Sequence, residues 1–141
     1  MQRSLRKIDT IPVGPLGIIP LQSCAELGKE VDNYLVNWRH ANTSEHKTNI
    51  IFSGYEKDSY LVNASVPRFG SGEAKAIISE SVRGKDIYLI VDVCNYSITY
   101  SLCGMTNRMS PDDHYQDLKR IIAAIAGKAR RINVIMPFLY E

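Results

Sequence analysis

The feature that most constrains the fold is a nearly continuous apolar run in the middle of the sequence, DIYLIVDV at Asp86–Val93. A strand with one face in water alternates apolar and polar residues, and this run does not alternate. Continuous apolar strands are typical of parallel sheets, which helices cover on both faces. The run therefore predicts a buried strand in an α/β domain whose sheet is largely parallel and flanked by helices.

A first helix is predicted before this strand. Ser23 and Glu26 have the spacing of a capping box, in which two side chains accept the free backbone N–H groups at a helix start. Apolar residues then recur with the helical period at Leu27, Val31, Tyr34, Leu35 and Trp38. The pattern predicts an amphipathic helix with Ser23 as its N-cap.

A second helix is predicted to start at Ser110. Pro111 follows as the first helical residue, and Asp112 and Asp113 lie near the positive end of the helix dipole. The predicted apolar stripe consists of Tyr115, Leu118, Ile122, Ile125, Ala126 and Ala129. The cations predicted to gather at its C-terminal end are Lys128, Arg130 and Arg131.

Short strands are predicted around these elements. Two of them, at 60–66 and 73–79, flank a glycine-rich turn and predict a β-hairpin over about 60–79. Further strands are predicted at 17–21, 49–53 and 132–136. Residues 1–15 are predicted to be a flexible lead-in, and 39–48 and 94–110 to be surface loops.

Size and composition narrow the class of protein. A chain of 141 residues is about one domain. The 17 basic and 15 acidic side chains nearly balance, which argues against nucleic acid or a membrane surface as a partner. No apolar run reaches the roughly 18 residues of a membrane span or, at the N-terminus, the length of a secretory signal. Three cysteines, with no disulfide or zinc pattern, predict a reducing cytoplasmic setting.

The histidines give no sign of a metal site. His40, His46 and His114 have no partner at metal-ligand spacing, and we interpret them as surface side chains. His114 is expected to face solvent or a loop from the first turn of the second helix. The sequence also lacks the common phosphate-loop, zinc-protease and nucleophile-elbow motifs.

Two turns could carry chemistry. In RFGSGE at 68–73, the glycines are typical of a hairpin turn, but Phe69 could also stack on a base and Glu73 could accept hydrogen bonds from an amine or a ribose hydroxyl. In ESVRGK at 80–85, the segment is typical of a polar turn, but Ser81 and Arg83 could also bind phosphate. Either interpretation is open from the pattern alone.

Taken in order, several segments resemble the ribose-phosphate pyrophosphokinase family. These segments are RFGSGE, ESVRGKDIYLI, the Cys94-Asn95 pair and KRIIAAIAGKARRINVIMPFLYE, and the early LGIIPLQSCAELGKEVDNYL is similar to the family's opening strand and helix. The resemblance covers 16–141 and implies that 40–58 are an insertion. It implies a phosphoribosyltransferase-like N-terminal domain. The family's reaction transfers pyrophosphate from Mg-ATP to ribose 5-phosphate, in homo-oligomers that are dimers or hexamers.

The resemblance also implies roles for single residues. Phe69 and Glu73 match the turn that contacts the adenine of ATP, in the family typically in a neighbouring subunit's site, and Ser71 occupies the position of the family's aspartate. Ser81 and Arg83 match a regulatory site for phosphate or the phosphates of ADP.

The sequence stops at Glu141, within the aromatic segment that the family continues into residues touching ATP. The family's Mg²⁺ ligands, catalytic loop and ribose 5-phosphate loop are not matched. We therefore expect no catalytic residue and no Mg²⁺ ligand in this chain, and no activity from it alone. The alternatives are a non-catalytic regulatory or assembly homologue, and an unrelated α/β domain with chance matches.

Overall fold

The computed structural model of the chain describes residues 12–42 and 57–141. Its strands and helices, in chain order, are β1 (Leu16–Pro20), α1 (Ala25–Asn42), β2 (Ala64–Ser65), β3 (Ile77–Ile78), β4 (Asp86–Ile90), β5 (Thr99–Leu102), β6 (Met105–Arg108), α2 (Pro111–Ile125) and β7 (Arg131–Ile135). No helix in these ranges is long and apolar enough to cross a membrane.

The centre of the fold is a parallel sheet in the order β1-β4-β7. β4 is paired along its whole length, with Tyr88 opposite Ile18 on one side and Asn133 on the other. Residues 60–62 extend the other edge of β1. The Ile18 N–H donates to the Tyr60 carbonyl, and the Ile18 carbonyl accepts from the Val62 N–H, each at 2.8 Å. The predicted buried parallel strand and the α/β class are confirmed.

The two helices cover opposite faces of this sheet. Alternate strand residues point to opposite faces. Ile19 and Leu89 pack with Leu118 and Ile121 of α2 in the larger core. The other face forms a smaller cluster around Ile18, Cys24, Tyr60 and Ile90, against which α1 packs with Val31, Leu35 and Val36. β7 is an edge strand, and its Ile135 remains 45% exposed.

The predicted N-cap of the first helix is wrong. Ser23 lies inside a short 3₁₀-helix, Gln22–Cys24, and α1 begins only at Ala25. The Ser23 hydroxyl accepts a hydrogen bond from the Asp92 N–H at 3.1 Å, so it caps the loop after β4 instead of its own helix. The apolar stripe is also only partly buried. Val31 and Leu35 pack on the sheet, whereas the large side chains left exposed are Leu27, Tyr34 and Trp38.

The start of the second helix is confirmed. The Ser110 hydroxyl accepts the Asp113 N–H at 3.2 Å, and the Asp113 carboxylate accepts the Ser110 N–H at 2.9 Å. The core-facing residue is Ile121 and not Ile122, which is exposed like Ala126. Because Ala126 adopts a left-handed conformation, α2 ends at Ile125. The three predicted terminal cations, Lys128, Arg130 and Arg131, therefore lie beyond the helix, and Arg131 opens β7.

Two antiparallel hairpins complete the fold. β2 and β3 form the predicted hairpin with much shorter strands than expected, and a bridge between Arg68 and Ala74 continues it toward the turn. The predicted loop at 94–110 is wrong, because β5 and β6 pair there around a turn with positive φ at Cys103 and Gly104. Most of the predicted lead-in, most of the loop at 39–48, the strand at 49–53 and most of the insertion at 40–58 lie outside the described residues.

A close contact between α1 and β1 gives a test of this packing. A Cβ at Gly28 would overlap the ring of Pro20. Gly28→Ala should therefore lower the free energy of unfolding by about 1 kcal/mol, since overpacking outweighs the gain in helix propensity. Asn33→Ala, at an exposed position of the same helix, should raise it by about 0.5 kcal/mol. Urea denaturation of both variants measures the difference, and equal effects of the same sign would contradict the contact.

Candidate functional site

The glycine-rich turn at 68–73 is compact and projects its side chains outward. The Phe69 N–H donates to the Glu73 carbonyl at 2.7 Å, and the Gly72 N–H donates to the Phe69 carbonyl at 2.9 Å. Gly72 has a φ of +87°, which a residue with a side chain rarely adopts. Phe69 is 50% exposed, and Ser71 and Glu73 are exposed as well. The structure thus places the three predicted nucleotide-facing residues together on one turn.

This turn is anchored by a residue that sequence reasoning missed. The Arg68 side chain is only 10% exposed, and its guanidinium lies 3.0 Å from a carboxylate oxygen of Asp117 in α2. Asp117 also accepts from Arg120 at 2.6 Å. Burial raises the pKa of Asp117, and the two guanidinium groups oppose that rise. The sequence gives one sign of this anchor, the carboxylate of Asp117. It lies four residues before Ile121 and therefore on the core-facing side of α2.

The second turn, at 80–85, combines a buried anchor with exposed polar residues. Val82 is buried in the larger core, and a 2.6 Å ion pair joins Glu80 to Lys85. The pKa of Glu80 is lowered, first by the hydrogen bond from Lys85 and also by one from the Asn63 N–H. Ser81 and Arg83 are exposed on this turn. These two predicted phosphate-binding residues are therefore adjacent and open to solvent.

Two further cationic residues, Lys128 and Arg130, lie on the segment that pairs with the end of this turn. The Gly84 N–H donates to the Lys128 carbonyl at 3.0 Å, and the Arg130 N–H donates to the Lys85 carbonyl at 2.8 Å. These bonds hold the loop after α2 beside the turn. In the described part of the chain, no carboxylate pairs with Arg83, Lys128 or Arg130. The local excess of positive charge is suited to an anion.

The two turns do not form one site. The 68–73 turn closes the β2–β3 hairpin, whereas Asn63 and Glu80 stand at its open end, joined by a 3.2 Å hydrogen bond. Glu73 and Glu80, the nearest ends of the two turns, are seven residues apart along an extended segment, and at about 3.3 Å per residue the turns lie roughly 20 Å apart. A single small ligand cannot contact both.

Polar contacts join the segments that follow the carboxyl ends of β1 and β4. The Asn95 side chain donates to the Ser23 carbonyl at 3.0 Å. His114 is only 1% exposed, and its Nε2 lies 2.9 Å from the Asn95 carbonyl. The prediction that His114 is a surface side chain is therefore wrong, because the loop after β4 covers it. A cavity of about 270 Å³ lies beside His114, between the end of β1, β2 and α2.

The described residues do not fit a resident metal site. Within 12–42 and 57–141, no three His, Cys, Asp or Glu side chains are arranged to hold a metal ion. Asp113 and Asp117, the acidic residues of α2 nearest to the first turn, are already engaged in the helix cap and in ion pairs. The described cysteines are unpaired, and burial raises the pKa of the Cys24 thiol.

A parallel sheet with a helix on each face and exposed turns outside it makes the chain an α/β domain, and its family match places it in the phosphoribosyltransferase-like class. The sequence matches the family model of the N-terminal domain of ribose phosphate pyrophosphokinase over residues 16–141, and the chain belongs to this family. It is also similar to ribose-phosphate pyrophosphokinase B of Dictyostelium discoideum, with 31% identity over 77 residues. That match covers 54% of this chain and spans only 20% of the length of the relative.

The ion pair in the second turn predicts a pH dependence of stability. A carboxyl with a lowered folded-state pKa stabilises the fold above its unfolded pKa, near 4.5 for Glu80, and loses this contribution as pH falls through the folded value. Glu80→Gln should therefore destabilise the chain at about pH 7, and the difference from wild type should shrink toward about pH 3.

The measurement is the denaturation midpoint of both proteins across this pH range. Glu30→Gln, at an exposed position of α1, is the matched control and should leave the profile unchanged. A constant difference between Glu80→Gln and wild type at every pH would contradict the role of the charged pair.

Proposed function

We propose that the chain is the N-terminal part of a cytoplasmic ribose-phosphate diphosphokinase. In this proposal, the full-length protein transfers pyrophosphate from Mg-ATP to ribose 5-phosphate and forms phosphoribosyl pyrophosphate for nucleotide biosynthesis. Membership of the family supports the reaction class. The named relative carries the same activity in its name, but this chain corresponds to a small share of it.

The observation that carries the proposal is the exposed Phe69 ring on a short, hydrogen-bonded turn. An aromatic side chain that is half exposed on a fixed backbone can stack on the face of a nucleobase. Glu73, paired with Phe69 through the backbone, is exposed and can accept from the exocyclic amine of adenine or from a ribose hydroxyl. Ser71 offers a hydroxyl between them, in place of a carboxylate.

In the proposed mechanism, these residues bind and orient ATP and do not act on the reacting atoms. Pyrophosphoryl transfer depends on positioning and on cations that neutralise the transferred oxygens. Mg²⁺ supplies that neutralisation when bound, and we propose that its ligands are the nucleotide phosphates and residues outside this chain. The turn acts on ATP in a neighbouring subunit's site, so the proposal includes a homo-oligomer, a dimer or a hexamer. The 141-residue chain alone is then inactive.

A regulatory anion site is proposed at the second turn. Ser81 and Arg83 would hold phosphate or the phosphates of ADP, since a guanidinium binds two phosphate oxygens at once. The neighbouring Lys128 and Arg130, held there by backbone hydrogen bonds, support this proposal because they add unpaired positive charge.

The nucleotide turn is tested by Phe69→Ala in the full-length protein. Loss of a stacked ring should weaken ATP binding by about 1–3 kcal/mol, which raises KM for ATP roughly five- to hundredfold. KM for ribose 5-phosphate should change little. Phe69→Tyr keeps the ring and is the matched control. Unchanged ATP affinity in Phe69→Ala would assign the ring to packing. A wild-type full-length protein that binds ATP but forms no phosphoribosyl pyrophosphate would favour the regulatory or assembly homologue.

The anion site is tested by Arg83→Ala. The wild-type activity should respond to inorganic phosphate and to ADP, and the variant should lose most of that response while keeping its KM for ATP at low phosphate. Lys29→Ala, on the exposed surface of α1, is the control and should respond as wild type does. A variant whose response matches wild type would remove Arg83 from the proposal.

A further inference from the structure

The β5–β6 hairpin faces the glycine-rich turn with one side of β5. Tyr100 and Leu102 are two residues apart and therefore point to the same face of the strand. The Arg68 guanidinium carbon lies 4.8 Å from the centre of the Tyr100 ring. A Cβ at Gly72 would lie 3.6 Å from Leu102, and the Cys103 thiol at the hairpin tip is 3.7 Å from the Gly70 carbonyl. The hairpin thus contacts the turn at Arg68 and at Gly70 and lies close to Gly72.

Arg68 joins this hairpin to α2. One side of its guanidinium faces the Tyr100 ring, and its Nη2 contacts Asp117 at 3.0 Å and Asp113 at 4.0 Å. Asp113 also closes the capping box with Ser110. The side chain next to Phe69 is therefore held by two elements that are distant from it in sequence.

The hairpin itself is fixed to the start of α2. The Met109 N–H donates to the Ile98 carbonyl at 2.9 Å and closes the hairpin at its base. Met109 is buried, and Ser110, the N-cap of α2, follows immediately. Hairpin and helix thus form one support, and Arg68 lies between them.

We propose that this support sets the shape of the nucleotide turn, and that Arg68, Tyr100 and Asp117 are positioning residues for ATP. The inference rests on the proposed function of the turn and deepens it. The side chains of these residues are buried or half-buried, so their role is to hold Phe69 and Glu73 in place and not to touch the nucleotide. Because the turn is already ordered before binding, the binding free energy of ATP is not reduced by the entropic cost of ordering the turn.

Loss of the support should act on ATP and leave ribose 5-phosphate unaffected. Tyr100→Leu removes the ring beneath the guanidinium but keeps an apolar side chain. The expected rise in KM for ATP is about three- to thirtyfold, which corresponds to the loss of a partly desolvated cation–π contact. KM for ribose 5-phosphate and kcat should stay near wild type. Arg68→Lys keeps the charge toward Asp117 but loses the stacked planar group, and should have a similar effect.

A second readout follows the turn directly and does not depend on activity. Without nucleotide, amide hydrogen exchange at Phe69 and Gly72, whose N–H groups close the turn, should accelerate in Tyr100→Leu and Arg68→Lys. Tyr96→Leu is the matched control, because Tyr96 lies outside the hairpin and is exposed. All variants are compared in the full-length protein, with denaturation curves to confirm that each is folded. If Tyr100→Leu does not fold, Arg68→Lys and Leu102→Ala carry the test.

The outcomes separate the two proposals. Faster exchange in the turn together with a raised KM for ATP supports the positioning role. A second outcome is faster exchange in the support variants with an unchanged KM for ATP, while Phe69→Ala does raise the KM for ATP. That outcome overturns the positioning role but not the proposed function. Exchange and KM values equal to those of Tyr96→Leu also overturn it. If Phe69→Ala leaves ATP binding unchanged, the proposed function fails, and the role of the support in ATP binding fails with it.

Discussion

The pairing of β4 with a strand on each side is the interaction on which the rest of the structure depends. Five residue pairs join it to β1 and five to β7. At its first residue, Asp86 accepts two hydrogen bonds from Arg131, of 2.8 and 2.6 Å, and one from Asn133. A bidentate contact between opposed residues fixes the register at the start of both strands. Because Ile87 and Leu89 are fully buried in the larger core on the α2 face, a one-residue slip would move them to the opposite face and break this packing.

The segments that carry candidate chemistry take their positions from this strand. The turn at 80–85 leads directly into β4, and the loop that covers His114 follows this strand. The turn at 68–73 stands apart from the sheet. It is held by Arg68, α2 and the β5–β6 hairpin, and α2 itself packs on β4 through the larger core. The sheet provides a rigid base, and polar contacts place the turn on it.

Local chemistry made part of this structure predictable. The apolar run of β4 and the cap at Ser110 depend on neighbouring residues, and both were predicted correctly. The predicted cap at Ser23 is wrong because its hydroxyl accepts a hydrogen bond from the N–H of Asp92, 69 positions further along the chain. His114 was judged exposed because its burial depends on the distant Asn95 loop. The β5–β6 hairpin was missed since the polar strands TYSL and MTNR and a Cys-Gly turn lack the usual hairpin signals.

The candidate site shows the same contrast between features set by neighbouring residues and features set by distant contacts. The exposed residues of both turns, from Phe69 to Glu73 and from Ser81 to Arg83, could be located from the sequence because glycines mark the turns and the motifs resemble a family. Tyr100 could not, since it acts through a contact across the fold and lies in a segment taken for a loop. The sequence therefore locates the exposed side chains that could contact a ligand, but not the side chains that support them through contacts across the fold.

The anchoring of the turn at 68–73 makes its shape depend on distant elements of the fold. Its supporting contacts join residues far apart in the chain, since the partners of the Arg68–Asp117 pair are 49 positions apart and those of the Cys103–Gly70 contact are 33 positions apart. The two-residue strands β2 and β3 give little local structure to start from. Because its partners lie in α2 and in the β5–β6 hairpin, the turn has its full set of supporting contacts only when both elements are in place, and local opening of either one would also release the turn.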